Sequence, residues 1–160
     1  MKKHFIIFED DINNKTVTEL VIKIQSYDNV HLYFSTFGGY TPDMMFLIKI
    51  MNSHPKIKIT LDSYLVSAGA LLLTHYTGKI EVAKTFDYFL FHKEDRKLYQ
   101  LRKQEVEAKQ LIKCSEKRNK EEADKLLELG IFNEKQYKNY MKGKDVVIFK
   151  KDIKWGIKKL

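Results

Sequence analysis

Ile57-Lys58-Ile59-Thr60-Leu61, followed closely by Leu65-Val66-Ser67-Ala68-Gly69-Ala70-Leu71-Leu72-Leu73, is the stretch that decides the fold. The first part alternates apolar with polar residues and predicts a strand. From Ser67 to Tyr76 the apolar residues are too dense for a surface element and predict a buried helix. A strand that runs into a buried helix is the building unit of a parallel α/β sheet. Ser67 stands where the strand becomes a helix. Unpaired N–H groups and the helix dipole there favour developing negative charge, so Ser67 is a candidate nucleophile.

Upstream, Val30–Ser35 predicts a strand that closes on Phe37-Gly38-Gly39. A glycine turn can adopt backbone angles closed to other residues and aim N–H groups at an oxyanion. Further upstream, Phe5–Phe8 predicts a first strand. Asn14 or Thr16 is expected to cap a helix whose Val17, Leu20, Val21 and Ile24 follow helical spacing. Thr41-Pro42-Asp43 predicts a second helix start, with Thr41 as cap, Pro42 at the first position and an acid in the first turn. That helix runs to about Asn52 and buries Met44, Leu47, Ile48 and Met51. Downstream, Gly78 punctuates, and Ile80–Ala83 and Tyr88–His92 predict short strands. This βαβαββ order implies a largely parallel sheet with right-handed crossovers, its strands covered on both faces. Ligand sites in such sheets lie beyond the strands' carboxyl ends. Gly38-Gly39 follows one strand, Ser67 follows another, and His92, a candidate general base, ends a third.

Residues 94–129 are charged and contain no glycine or proline. Leu98, Leu101, Val106, Leu111, Leu126, Leu127 and Leu129 are thinly spaced, which predicts one long helix or a broken pair, projecting or packed on one side. Gly130 is placed to end it and Asn133-Glu134 to start another. Val146–Phe149 predicts a last strand, and Asp152–Trp155 a helical turn ended by Gly156. With 160 residues, no internal repeat and no linker, one domain is expected: a core of about residues 1–93 and 130–160, with a helical segment over 94–129.

Composition narrows the function classes. The chain is 44% hydrophobic and 31% charged, and no apolar run approaches the ~20 residues of a membrane-spanning helix. Met1 to Phe8 reads as a strand start, not a signal peptide. Cys114 is the only cysteine, which excludes a disulfide framework and a cysteine zinc site. His4, His31, His54 and His75 show no metal-ligand spacing. Neither metal nor cofactor is expected, and the expected compartment is the cytoplasm. The net charge of +8 invites a nucleic-acid reading. However, residues 97–128 hold nine Lys/Arg against seven Asp/Glu, a mixed solvated surface, and the excess is otherwise spread out with some concentration over 144–159. Nucleic acid is therefore not the expected partner, nor is a membrane.

Three segments resemble the proteolytic subunit of the Clp protease, within the ClpP/crotonase superfamily. Ser35-Thr36-Phe37-Gly38-Gly39-Tyr40-Thr41 is similar to that family's Ser-Pro-Gly-Gly segment, and Val66-Ser67-Ala68-Gly69-Ala70-Leu71-Leu72-Leu73 to the segment around its nucleophile. Leu90-Phe91-His92-Lys93 is similar to its Met-Ile-His-Gln, and 25 residues separate Ser67 from His92, as in the family. The likeness is strong from Phe5 to His92 and weak beyond.

The resemblance implies a ClpP/crotonase-like spiral of βαβ units, with a mostly parallel sheet and a long projecting helix. It implies Ser67 as nucleophile, His92 as base, the Gly39 and Ala68 amides as oxyanion hole, and Gly38 and Phe37 beside substrate. Asp145, before the last strand, matches the place of the family's acid, and Gly156 matches its terminal glycine with a one-residue difference in spacing. Asp152 competes with Asp145 but suits capping of the last short helix; Asp87 lies at the wrong end of its strand. The implied activity is serine endopeptidase, acting on peptides or unfolded protein, in a homo-oligomeric ring with an unfoldase ATPase as a possible partner.

Several features depart from the family. Phe37 replaces the proline, and Lys93-Glu94-Asp95-Arg96-Lys97 stands where a glycine-rich strand normally follows the histidine. The residues before Phe5 are also too few for the family's axial loops. Two alternatives stay open: a catalytically idle scaffold or regulatory subunit, and a stand-alone peptidase of the same superfamily with Lys79 or Lys93 as base.

Overall fold

A computed structural model describes residues 2–93 and 105–153. The chain divides into two compact units, residues 1–90 with 147–160, and residues 91–146.

The first unit is α/β with a mostly parallel sheet. Strand β1 (His4–Glu9) leads through helix α1 (Asn14–Gln25) to β2 (Val30–Thr36), and β2 leads through α2 (Thr41–Ser53) to β3 (Ile57–Val66). A 3-10 turn (Ser67–Ala70) and α3 (Leu71–His75) precede β4 (Ile80–Val82) and β5 (Tyr88–Phe91). The sheet order is β1-β2-β3-β5-β6, with β4 also paired to β3 and β6 being Val146–Phe149. The pairings β1–β2, β2–β3, β3–β4 and β3–β5 are all parallel.

Local chemistry explains most boundaries. Asn13, one residue earlier than expected, caps α1 in a full capping box: its side chain accepts from Thr16 N–H while Thr16 Oγ1 accepts from Asn13 N–H. Thr41 does not cap α2; Tyr40 holds that position without a side-chain bond, and Pro42 in the first turn fixes the helical φ instead. The expected buried set Val17, Leu20, Val21 and Ile24 lies inward on α1, and Met44, Leu47, Ile48 and Met51 on α2. Ser67–Tyr76, expected as one helix, is a 3-10 turn followed by a short α-helix.

The expected cover on both faces holds for the central strand β2, where six of seven residues are buried, but not for the edge strand β1. Ile6, Phe8, Leu32, Phe34, Ile59 and Leu61 are buried, whereas Phe5 and Ile7 are 64% and 73% exposed. Sequential right-handed crossovers that advance in one direction put α1 and α2 on the same side. The opposite face of β1 therefore has no helix from this part of the chain to cover it.

Strand β3 changes partners along its length. Ile59–Leu61 pair with Ile80–Val82 of β4, and Tyr64–Val66 pair with Tyr88–Leu90 of β5. Against β2 the register shifts as well: Phe34 pairs with Leu61 but Thr36 with Leu65. The displaced backbone is satisfied locally. Ser63 N–H donates to Ser35 Oγ at 3.0 Å, Asp87 N–H to the Ser63 carbonyl at 2.7 Å, and Thr85 Oγ1–H to Asp62 Oδ1 at 2.5 Å. Lys150, just past β6, donates its N–H to the Asp87 carbonyl and its Nζ to the carbonyls of Ala83 and Lys84.

The second unit contains α4 (Glu105–Glu128) and α5 (Glu134–Met141). Gly130, at φ +68, ends the first, and Asn133 caps the second in a capping box with Gln136, as the sequence predicts. Phe91 meets Phe132 edge-on at 4.9 Å, and Phe132 meets Tyr140 at 5.6 Å. Tyr137 Oη donates to Asp124, which also accepts from Lys120. The predicted helical start at residues 94–104 and the predicted Trp155 and Gly156 lie outside the described residues.

His31 gives the fold a pH dependence. It is buried on β2, its Nε2 is 2.8 Å from Thr60 Oγ1, and its Nδ1 has no hydrogen-bond partner among the described residues. Burial chiefly, then the charges of Lys3 and Lys58, push its pKa down from 6.5, with Glu81 opposing. The folded state thus prefers neutral His31, and the unfolded chain binds the extra proton below 6.5. Stability should fall as pH drops through 6.5 towards the lower folded value. Denaturant midpoints from pH 7.5 to 5 should fall less steeply for His31→Phe than for the wild type; equal slopes would remove His31 as the cause.

Candidate functional site

The chain between Val66 and Ala70 turns sharply. Val66 is extended, at φ −123 and ψ 146, and the next residue starts the 3-10 turn. Ser67 sits at φ +53 and is the only non-glycine residue with positive φ among those described. An L-residue there costs roughly 1–2 kcal/mol. Such strain persists only where surrounding packing enforces it. Its side chain is half-buried while Val66, Ala68, Gly69 and Ala70 are buried. The result is a strained elbow between strand and 3-10 turn, with the Ser67 hydroxyl at its bend.

The glycine turn after β2 lies directly against this elbow. A Cβ on Gly38 would come 2.6 Å from Ser67 Cβ, 2.8 Å from the Val66 oxygen and 3.1 Å from the Ala68 nitrogen. Gly38 is at φ +99 and Gly39 at φ +138, both closed to ordinary side chains. Ile12 fixes the turn from its other side. Its N–H donates to the Gly38 carbonyl at 2.7 Å, and its carbonyl accepts from Tyr40 N–H at 2.8 Å. A trans peptide is planar, so a Gly38 carbonyl aimed at Ile12 turns the Gly39 N–H the opposite way. The Ala68 N–H belongs to the first turn of the 3-10 segment, where helical amides have no intrahelical acceptor. Gly38, Gly39, Ser67 and Ala68 are therefore brought together, with two amides on adjoining turns.

Phe37 is 58% exposed and stacks on Tyr64, ring centroids 4.1 Å apart. The Tyr64 hydroxyl donates to Glu9 at 3.4 Å. Burial first, and then the Glu9 carboxylate, hold its pKa above 10. Tyr64 continues into Tyr88 at 6.3 Å and Tyr88 into Phe149 at 6.4 Å, so Phe37 ends a row of rings.

His92 and Asp145 belong to the second unit. His92 is exposed and follows the last residue of β5. Both neighbours are held within that unit: Phe91 by the Phe132 ring, and Lys93 by its Nζ donating to the Met141 carbonyl at 2.5 Å. Asp145 is exposed, beyond the turn at Gly143 (φ +79) and directly before β6. Asp152, expected to cap a turn over Asp152–Trp155, closes an earlier one, and Trp155 lies outside the described residues. The earlier turn is Lys150–Asp152, its N-cap is Phe149, and Asp152 is its last residue. Asp87 is at the opening end of β5, away from the end that carries His92. No group of His, Cys, Asp and Glu among the described residues is arranged to hold a metal. Likewise, no described helix is long and apolar enough to cross a membrane.

Sequence reasoning missed Ile12 and Tyr64. Ile12 carried a signal: a lone apolar residue between Asp10-Asp11 and Asn13-Asn14, which the structure buries to 1% exposure. Tyr64 carried none, because it lies in the polar interruption Asp62-Ser63-Tyr64, where β3 bends.

The chain matches no family model and no curated protein.

The close approach of turn and elbow predicts a ranking of glycine variants. Gly39→Ala puts a Cβ 2.2 Å from the Ile12 oxygen and should destabilise most. Gly38→Ala should cost about 1–3 kcal/mol. Gly130→Ala, with positive φ but nothing within 4 Å, should cost only about 1 kcal/mol. Urea unfolding of the three variants checks the order, and a Gly38→Ala protein as stable as Gly130→Ala would contradict the contact.

Proposed function

We propose that this chain is a serine peptidase of ClpP/crotonase type that cuts peptide bonds through an acyl-enzyme. The observation that carries the reading is the strained Ser67 elbow, at φ +53, pressed against the Gly38 backbone. A serine with only a packing role gains nothing from a conformation that glycine or asparagine would adopt at lower cost.

In this reading Ser67 Oγ attacks the scissile carbonyl while His92 takes its proton. The Gly39 and Ala68 amides receive the negative oxygen, as fixed donors that need no reorganisation when charge develops. His92 returns the proton to the departing amine, and water then repeats the sequence to release the acid. Asp145 holds the imidazole and balances its charge. Phe37 and Gly38 line the approach for an extended peptide. The lysine-base alternative is less well supported. Lys79 pairs with Glu81 at 3.3 Å, and Lys93 donates to the Met141 carbonyl.

The spiral architecture is part of the same proposal, supported by the stepwise β1-β2-β3 order and by the exchange of β4 for β5 beside β3. So is assembly. Phe5 and Ile7 on the open sheet face, Ile22 on α1, and Met45 and Phe46 on α2 are exposed apolar side chains. A ring of identical subunits would bury such surface, and an unfoldase ATPase that feeds unfolded chains would be its partner.

Labelling with a fluorophosphonate tests the chemistry. Ser67 Oγ bonds to phosphorus, fluoride leaves, and the hydroxyl proton passes to His92. Ser67→Ala should abolish labelling, His92→Ala should nearly do so, and Asp145→Asn should slow it more than Asp152→Asn. Ser67→Gly should be inactive yet about 1 kcal/mol more stable than Ser67→Ala, because glycine removes the φ penalty. Wild-type protein that resists the probe would sink the peptidase reading.

Sedimentation tests assembly separately. The mass should be a multiple of the 19.0 kDa chain. A strictly monomeric mass at high concentration would remove the ring.

A further inference from the structure

Thr36 is the last residue of β2 and is 1% exposed. Its two γ substituents face the two backbone turns of the candidate site. The hydroxyl accepts a hydrogen bond from Gly38 N–H at 3.0 Å. The methyl lies where a Cβ on Gly69 would approach to 2.4 Å, so Gly69 leaves room for Thr36 Cγ2 against the 3-10 turn.

The hydroxyl bond completes the restraint of Gly38. Glycine has the widest backbone freedom of any residue, and Gly38 is flanked by two peptide planes able to rotate. Thr36 Oγ1 holds the plane before it through the Gly38 N–H. Ile12 N–H holds the plane after it through the Gly38 carbonyl. That second plane also carries the Gly39 N–H. With both planes held, the direction of the Gly39 N–H is fixed before any substrate arrives. The methyl acts on the other half of the site, where it sets the seat of the turn that begins with Ser67 and Ala68.

We infer that Thr36 is a positioning residue for the two oxyanion-binding amides: it clamps the Gly38-Gly39 turn with its hydroxyl and seats the Ser67–Ala70 turn with its methyl. The inference rests on the peptidase reading above. A purely local role is the competing account, since Ser and Thr often bond an N–H two residues on merely to end a strand. The two accounts part on what happens when the hydroxyl goes and the shape stays. A local role predicts lost stability with unchanged reaction at Ser67. A positioning role predicts slower reaction in protein that remains folded.

The test uses the full chain in three forms: wild type, Thr36→Val and Thr36→Ser. Valine keeps the methyl against Gly69 and removes the acceptor; serine keeps the acceptor. Loss of one oxyanion donor costs about 100- to 1,000-fold. A displaced donor should cost less, so Thr36→Val should lower the fluorophosphonate labelling rate about 10- to 100-fold. The probe concentration at half-saturation should not change. Thr36→Ser should stay within about threefold of wild type, a rescue by the retained hydroxyl.

Amide hydrogen exchange by NMR gives a readout that does not depend on activity. The Gly38 N–H should be protected in the wild type and in Thr36→Ser and unprotected in Thr36→Val, with the Gly39 and Ala68 signals shifted in the valine variant. If wild type labels and Thr36→Val labels equally fast, the positioning role is overturned and the peptidase reading stands. If wild type does not label, the peptidase reading fails and the positioning role of Thr36 fails with it. Should the valine variant not fold, the wild-type exchange decides: fast exchange at Gly38 N–H overturns the clamp.

Discussion

Backbone meets backbone where the turn after β2 touches the elbow after β3, and no side chain fits between them. A methyl group on Gly38 would lie inside the contact distance of Ser67 and Val66. Two loops from different strands can approach this closely only if the strands are parallel neighbours and end at the same level. The register meets that requirement through an irregularity: Phe34 pairs with Leu61, but two residues later Thr36 pairs with Leu65. Strand β3 thus runs further than β2 over the same span and bends as it does so. Ser35 Oγ absorbs the mismatch by accepting from the Ser63 N–H, so the bend leaves that amide satisfied.

The strain at Ser67 follows from this arrangement. Leu65 and Leu71–Leu73 are buried on either side of the elbow, so strand and helix are each anchored by apolar packing. The backbone must reverse between the two anchors within a residue. Burial of a leucine is worth about 1.5–3 kcal/mol, more than the left-handed conformation costs, so the packing wins. At the serine, local preference and tertiary packing disagree. Such conflicts are expected at functional positions.

Much of this was legible in the chain, and for identifiable reasons. The apolar spacing in α1 and α2 is set by which side chains must face the sheet, and the buried sets appear in the sequence residue for residue. Gly38-Gly39 and the small residues Ala68-Gly69-Ala70 announce a close approach, because only small residues allow one. Other features depend on partners remote in sequence. Nothing near Leu61 reveals that β3 continues to Val66, since Asp62-Ser63-Tyr64 looks like a loop until Ser35, Thr85 and Glu9 are brought to it. The exposed face of β1 escapes a reading of the sequence for a related reason. Phe5-Ile6-Ile7-Phe8 is apolar throughout, and composition alone does not say that both crossovers pass on one side. The left-handed angle at Ser67 has no signature in residue type at all.

The clasp made by Lys150 bears on how the protein is born. Ala83 and Lys150 lie 67 positions apart, and β6 is made only after the whole second unit. Contacts this remote in sequence form late, because a long loop must close first. Until they form, Tyr88-Phe89-Leu90-Phe91 presents an unpaired edge rich in aromatic side chains. Open edges of that composition recruit strands from other chains. During synthesis the protein therefore passes through a stage in which its most adhesive strand is finished and its cover is not. The speed with which residues 147–150 follow sets how long a nascent chain remains open to its neighbours.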